Sequence, residues 1–158
     1  MAATGAPVEL ANKPVAVRIA MQDARAQIES AMAPSSKTAI VLTVEGIDFD
    51  KTPGVYYEVY VGLPRNEVPS YKSVYFVGNL APFQPPSVGA AEHASVISFD
   101  ITRTVRALKS FKLWNDSELT ITFVPRGHVD RSGRQLPIPP GGQPHFTNSK
   151  VVAITPQP

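Results

Sequence analysis

Cysteine is absent from the 158 residues, and histidine occurs only three times, at His93, His128 and His145. The lack of cysteine excludes disulfide frameworks, cysteine–zinc sites, thiol nucleophiles and iron–sulfur clusters. No two histidines have the i, i+4 spacing that pairs metal ligands on a helix. His128 and His145 share one long loop, where solvated side chains are the expected arrangement and a fortuitous metal site is the alternative. We therefore predict no metal and no cofactor in this chain.

An excess of charge of one sign and long apolar runs are also lacking. The sequence has fifteen Lys and Arg and thirteen Asp and Glu, for a net charge of +2. Because this charge is small and the basic residues are scattered, we predict no nucleic-acid or membrane surface. Even the groups Lys109/Lys112 and Arg126/Arg131/Arg134 are typical of solvated faces. No segment approaches the roughly 18 consecutive apolar residues of a membrane span, and residues 1–14 lack the pattern of a secretory signal. The compartment is left open, as cytoplasmic or co-exported with a partner.

Motifs of catalysis are missing as well. There is no glycine-rich phosphate loop between a strand and a helix, and no G-x-S-x-G elbow. Asp48 and Asp50 flank Phe49 in a turn-like stretch, where Asp is favoured for local backbone hydrogen bonds, and calcium would need more oxygen ligands. The sequence therefore predicts a binding or structural module and no enzyme.

What is present is mainly the pattern of β-strands. Seven segments are rich in β-branched and aromatic residues or alternate apolar with polar positions: 14–20, 38–47, 55–64, 73–80, 94–101, 117–127 and 149–155. One or two short helices are expected: segment 23–33 can form one with Asp23 as its cap, and a helix follows Asp100 as its cap. Without regular βαβ alternation, the pattern predicts an all-β fold, an antiparallel β-sandwich of the jelly-roll or Greek-key kind. Residues 14–158 would form this single domain, and residues 1–13 a linker-like arm.

Aromatic residues mark two regions. Along the strand VYYEVYV, Tyr56, Glu58 and Tyr60 should lie on the face opposite the valine-rich core face, where the two tyrosines either pack beneath another element or contact another protein. Phe83 lies in a loop between Pro82 and the pair Pro85–Pro86. Its ring either turns inward to close the core or is held stiffly for a partner.

The order of segments from about Pro7 to Ile154 resembles the C-terminal domain of bacterial and plant-type tyrosinases and polyphenol oxidases. The resemblance rests on GVYYEVYVGLP, YFVGNLAPF, ISFDITRTVRALKSFKLWNDSELTITFVPRG and SKVVAI, in that order. The most specific part is the strand–helix–strand unit over 97–127. Segment 22–36 is an insertion without a counterpart in that pattern. The loop over 125–147, rich in proline and glycine, is the second departure.

That resemblance implies a shielding role. In the family, a helical catalytic domain binds two copper ions through six histidines, and the C-terminal sandwich inserts an apolar side chain into its substrate pocket to keep it latent. This chain, with three histidines and no helical bundle, corresponds only to the non-catalytic sandwich, either as an excised domain or as a separately encoded one. The expected partner is a tyrosinase-like catalytic domain carrying the dinuclear copper.

Phe83 is the leading candidate for the plug, because its ring resembles a phenol and its proline neighbours limit the entropy lost on binding. Phe146 and Leu136, in the long loop, are the alternatives, and Tyr56 and Tyr60 are candidates for the surrounding interface. A different class of function stays open: an autonomous β-sandwich interaction module for assembly, carbohydrate or polyphenol ligands.

Overall fold

Two four-stranded antiparallel sheets organise the chain. The computed structural model describes residues 2–3, 8–10, 13–47, 55–81, 95–127, 130–134, 145–146 and 148–154. Within them the chain forms ten strands and two helices: β1 (Ala2–Ala3), β2 (Val8–Glu9), β3 (Val15–Ala20), α1 (Arg25–Ala31), β4 (Ala39–Ile47), β5 (Val55–Val61), β6 (Phe76–Leu80), β7 (Ser95–Asp100), α2 (Thr102–Ser110), β8 (Glu118–Gly127), β9 (His145–Phe146) and β10 (Asn148–Ile154). All seven predicted strands are present, which confirms the all-β antiparallel sandwich.

One sheet has the strand order β1-β10-β4-β7 and the other β3-β8-β5-β6, while β2 and β9 form a separate two-stranded pair. Strand β4 pairs with β10 on one side and β7 on the other, as its β-branched sequence predicts for a central strand. In the second sheet β8 is central, between β3 and β5. No helix of the described residues is both long and apolar enough to span a membrane.

The segment expected as an N-terminal arm takes part in this architecture. Ala2 pairs with Val151 in the first sheet, and Val8 pairs with Phe146. The side chain of Leu10 is fully buried, and its carbonyl accepts a hydrogen bond from the Tyr57 hydroxyl at 3.4 Å. These contacts attach β1 and Leu10 to the sandwich and β2 to β9.

The core lies between the two sheets and is built from alternate residues of the strands. Fully buried apolar side chains include Ile19, Ile40, Leu42, Val44, Val59, Val61, Ile121 and Phe123. Each such side chain stabilises the fold by about 1.5–3 kcal/mol through its removal from water. Helix α2 closes one end, where Ile101, Val105 and Leu108 are all buried.

The two helix starts differ from their predictions in detail. Asp23 does not cap α1: the cap position is Ala24, without a side-chain hydrogen bond, and Ala24 is buried. The N–H of Ala24 donates to the Met21 carbonyl at 3.0 Å, so a backbone turn between two buried residues precedes α1 in place of a polar side-chain cap. For α2 the cap position is Ile101, but Asp100 still accepts the backbone N–H of Thr102 at 2.9 Å, so this prediction is one residue from the observed boundary.

A close approach between edge strands joins the sheets. A Cβ placed on Gly78 of β6 would lie 2.8 Å from Cδ1 and 2.9 Å from Cε1 of Phe99 on β7. Phe99 is buried, so its ring packs against the backbone of β6 where any larger residue would displace it. Glycine is required here for space.

Candidate docking surface

The strand registers bring together the ends of the strands that flank the predicted plug residues. In one sheet the end of β4 at Ile47 pairs with the start of β7 at Ser95. In the other sheet the start of β5 at Val55 pairs with the end of β8 at Gly127. We call the end of the sandwich formed by these strand ends, together with Leu80 and Asn148, the loop end. The opposite end, where α2 connects β7 to β8 and α1 connects β3 to β4, is the helix end.

Phe83 and Leu136 lie outside the described residues. Phe146 is in the described backbone of β9, paired with Val8, but its side chain lies outside the description. The strands that flank all three candidates do meet at the loop end, since Phe83 follows β6 and both Leu136 and Phe146 follow β8. Sequence spacing alone does not show this convergence, because it depends on which strands pair.

Tyr60 is inside the molecule. Its ring is fully buried and packs edge-on against Phe76, with centroids 5.7 Å apart. Its hydroxyl donates to Oε2 of Glu58 at 2.6 Å. The segment between β5 and β6 encloses this site, where the N–H of Val61 donates to the Tyr75 carbonyl at 2.8 Å. Of the two environments expected for this tyrosine, the intramolecular one is observed, so Tyr60 offers no surface to a partner.

Glu58 is the centre of a small buried polar cluster. It is 7% exposed, and its Oε2 accepts Nη2 of Arg126 at 2.8 Å, Nε of Arg126 at 2.8 Å and the Tyr60 hydroxyl. A buried carboxylate needs such partners, because an unpaired buried charge is strongly destabilising. Arg126 therefore departs from the solvated basic face expected for it, whereas Arg131 and Arg134 are exposed as expected.

The environment of this cluster changes the acidity of its tyrosine. Burial, with the hydrogen bond and negative charge of Glu58 as further causes, raises the pKa of Tyr60 to about 12. Burial alone raises the pKa of Tyr57 on the core face to about 12. Both hydroxyls consequently stay protonated donors across the physiological range.

Tyr56 lies at the edge of this cluster and is accessible. It is 39% exposed, and Tyr71, from the segment between β5 and β6, is 64% exposed. With Arg126 and Pro69 they line an open groove of about 420 Å³ near the loop end. We call this groove the tyrosine groove. Arginine and tyrosine are enriched among the residues that dominate binding energy in protein interfaces.

Tyr71 and Arg126 are members of this surface that sequence reasoning missed. Glu58 within an apolar strand indicates the need for a cation, but the sequence does not say which one. The register of β5 and β8 determines which cation pairs with Glu58. Arg126 lies opposite Tyr56, two residues from Glu58 on the same face of β5, and forms the ion pair with it. Tyr71 carries no strand or helix pattern, and only the folding of its loop over the sheet brings it to Tyr56.

His93 and His128, the histidines considered as metal ligands together with His145, lie outside the described residues, as does the side chain of His145. Among the described residues, no group of three or more His, Cys, Asp or Glu side chains is placed to hold a metal ion. Trp114 is partly buried against the core, and its Nε1–H donates to Oδ1 of Asp116 at 2.9 Å.

Comparison with known sequences gives one family match. The sequence model described as Domain of unknown function (DUF7868) matches residues 1–136. No curated protein matches the chain.

Comparison with solved structures gives matches over nearly the whole chain. Latent aurone synthase, a polyphenol oxidase, from its natural source has a TM-score of 0.62 at 18% identity, over 96% of this chain and 26% of that one. Its recombinant form has a TM-score of 0.59 at 18% identity, over 98% and 27%. Latent apple tyrosinase has a TM-score of 0.58 at 15% identity, over 94% and 27%. The chain thus shares its fold with about one quarter of the length of these proteins.

Proposed function

Because the chain belongs to the DUF7868 family and its sandwich has the fold of one quarter of latent polyphenol oxidases, we propose that it is the non-catalytic domain of a tyrosinase-like system. It would pack on a type-3 copper catalytic domain and shield its substrate pocket. The observation that carries this proposal is the match of 94–98% of the chain to one region of proteins described as latent. The copper would belong to the catalytic partner.

The loop end is the surface proposed to face the partner. Three features support it: the flanking strands of Phe83, Leu136 and Phe146 converge there, the tyrosine groove adjoins it, and Arg126 is held in place by Glu58. A side chain already fixed by a buried ion pair loses little conformational freedom on binding. Tyr56 and Arg126 would then form the rim of a contact whose central apolar side chain comes from one of the flanking segments.

A titration of diphenol oxidase activity tests this function. A copper-loaded tyrosinase-like catalytic domain from the same source is assayed with increasing amounts of this chain, and complex formation is measured in parallel by calorimetry. Saturable inhibition at the stoichiometry of binding is expected. Binding without inhibition would refute the shielding role but not the association with the catalytic domain. The absence of both binding and inhibition at concentrations well above micromolar would refute the association as well.

A second function, as an autonomous interaction module, is favoured by one observation: two exposed tyrosine rings line a single groove. Such rings can stack on carbohydrate or polyphenol ligands. The buried Tyr60 does not contribute to this row, which instead consists of Tyr56 and Tyr71. This second function would be favoured if the chain bound a soluble oligosaccharide or polyphenol saturably and Tyr71→Ala abolished that binding. The chain would in that case have no effect on the activity of the copper domain.

A further inference from the structure

A cationic cavity lies at the helix end, away from the surface proposed to meet the partner. It has a volume of about 590 Å³ and is lined by Ser36, Lys37, Thr38, Ala39, Asp100, Thr102, Arg103 and Arg106. These residues come from the segment that leads into β4, the end of β7 and the first two turns of α2. The shielding function uses none of them.

The three cations of this cavity have no ion-pair partner within the part of the chain that the structure describes. Lys37, Arg103 and Arg106 are all exposed. Arg103 and Arg106 are three residues apart and so lie on the same face of α2. The single acid of the cavity, Asp100, has Oδ1 engaged by the N–H of Thr102 at 2.9 Å. Three positive charges against one negative leave the cavity with a net charge of +2, as large as that of the whole chain.

Two hydroxyl groups supply further donors. The Oγ1 atom of Thr102 accepts the N–H of Ile40 at 2.8 Å, and Oγ of Ser36 accepts the N–H of Thr38 at 3.2 Å. Since each oxygen already accepts a backbone hydrogen, each hydroxyl proton is left to donate elsewhere. The Thr102 bond also joins α2 to β4, which holds this side of the cavity on the rigid part of the sandwich.

We propose that this cavity binds a phosphate-class oxyanion, either free or as the head of an ester. Lysine, two arginines and two hydroxyls form the donor set that such a dianion requires, and charge-assisted hydrogen bonds to its oxygens are stronger than neutral ones. The cavity is widely open and does not restrict what is attached beyond the bound oxygens. The site lies at the opposite end from the loop end, so it stays accessible when the loop end is covered.

Titration of the ¹⁵N-labelled chain with inorganic phosphate, at constant ionic strength, tests the site by NMR. Saturable shifts are expected for the amides of residues 36–39 and 102–106. The double variant Arg103→Gln/Arg106→Gln should bind at least about tenfold more weakly, since it removes two charge-assisted bonds. Lys37→Gln provides a second variant on a different element, should α2 be perturbed.

The matched control is Arg131→Gln/Arg134→Gln, which removes the same charge from two exposed arginines that follow β8 and do not line the cavity, and which should leave the affinity unchanged. The proposal would be overturned if the chemical shifts grew without saturation or changed at residues outside the cavity. It would also be overturned if both double variants lost the same amount of affinity for phosphate. Phenyl phosphate separates the two sources: equal affinity identifies a site for esters, and loss of binding identifies a site for the free ion. Neither titration involves a catalytic domain, so their outcome is independent of the shielding function.

Discussion

Glu58 and Arg126 form an ion pair across strands β5 and β8, with Nη2 of the arginine 2.8 Å from Oε2 of the glutamate. The carboxylate side chain is 9% exposed and the guanidinium side chain 30%, so the pair joins a buried acid to a partly accessible base. The same oxygen accepts the Tyr60 hydroxyl. The pair thus connects the buried interior of the sheet to the tyrosine groove.

Removing the cation should cost more than neutralising the acid. We expect Arg126→Met to lower the free energy of unfolding by about 2–3 kcal/mol, because it leaves a buried carboxylate without its counter-charge. Glu58→Gln should cost less, about 1–2 kcal/mol, since the amide oxygen can still accept the Tyr60 hydroxyl. Urea unfolding of both single variants and the double variant measures the coupling. A double variant as unstable as the sum of the singles would show that the pair contributes no interaction energy.

Alkaline pH should destabilise the protein through its buried tyrosines. A pKa of about 12 for Tyr60 in the folded state, above the ordinary value near 10, favours the protonated form in the fold. This stabilisation is complete below about pH 10 and is lost as the pH rises from about 10 to 12. Tyr60→Phe should therefore flatten the decline in unfolding free energy above pH 10. Tyr71→Phe, on an exposed ring, is the matched control, and an equal effect of both substitutions would contradict the assignment.

Gly78→Ala should destabilise the contact between the sheets. Its new methyl group would lie 2.8 Å from the Phe99 ring, which forces the ring or the strand to move at a cost of about 1–3 kcal/mol. Phe99→Leu, combined with Gly78→Ala, relieves the clash, so the double variant should be more stable than the sum of the two single effects predicts. Thermal unfolding measures all three. Strict additivity would show that the ring is not what excludes a side chain at position 78.

The three plug candidates can be ranked in the inhibition titration. If the shielding function holds, Phe83→Ala should weaken inhibition of the copper domain by about thirtyfold or more, because a buried aromatic anchor contributes at least about 2 kcal/mol. Phe146→Ala and Leu136→Ala are the comparisons. If Leu136→Ala weakened inhibition by the same amount and Phe83→Ala had no effect, the plug would be Leu136 in the long loop. If all three variants inhibited the copper domain as strongly as the unsubstituted chain, a plug formed by one of these apolar side chains would be contradicted.

Truncation in the tyrosine groove should affect binding to the partner without affecting stability. Tyr71→Ala removes an exposed ring and is expected to leave the unfolding free energy within about 0.5 kcal/mol of the parent while weakening the complex. Val68→Ala, which shortens the side chain of an 80% exposed residue on the same segment, is the control. Equal affinities of the two variants for the copper domain would exclude the groove from the contact.

The regular elements were predictable because each carries its own periodicity. Strands β4 and β8 and the apolar positions of α2 follow from local residue patterns, which need no knowledge of the rest of the chain. The short strands β1, β2 and β9 were not predicted, since two residues carry no period and pair only because distant segments meet. The cap of α1 was misassigned for a similar reason: the cap position is the buried Ala24, and burial is a tertiary property that the local sequence does not show.

Sequence by itself determined the fold class of this protein: seven segments with strand periodicity and no regular βαβ alternation predict the antiparallel β-sandwich that the structure shows. Tertiary structure decided which residues share a surface. Tyr56 and Tyr60 have the same strand parity, yet one is accessible and the other is enclosed by the segment that follows β5. Glu58 has its cation 68 residues away in sequence, and Lys37 meets Arg103 and Arg106 only where β4 and α2 adjoin. Periodicity is a local property of the chain, whereas burial and charge pairing depend on strand register and loop packing, which bring together residues from distant parts of the chain.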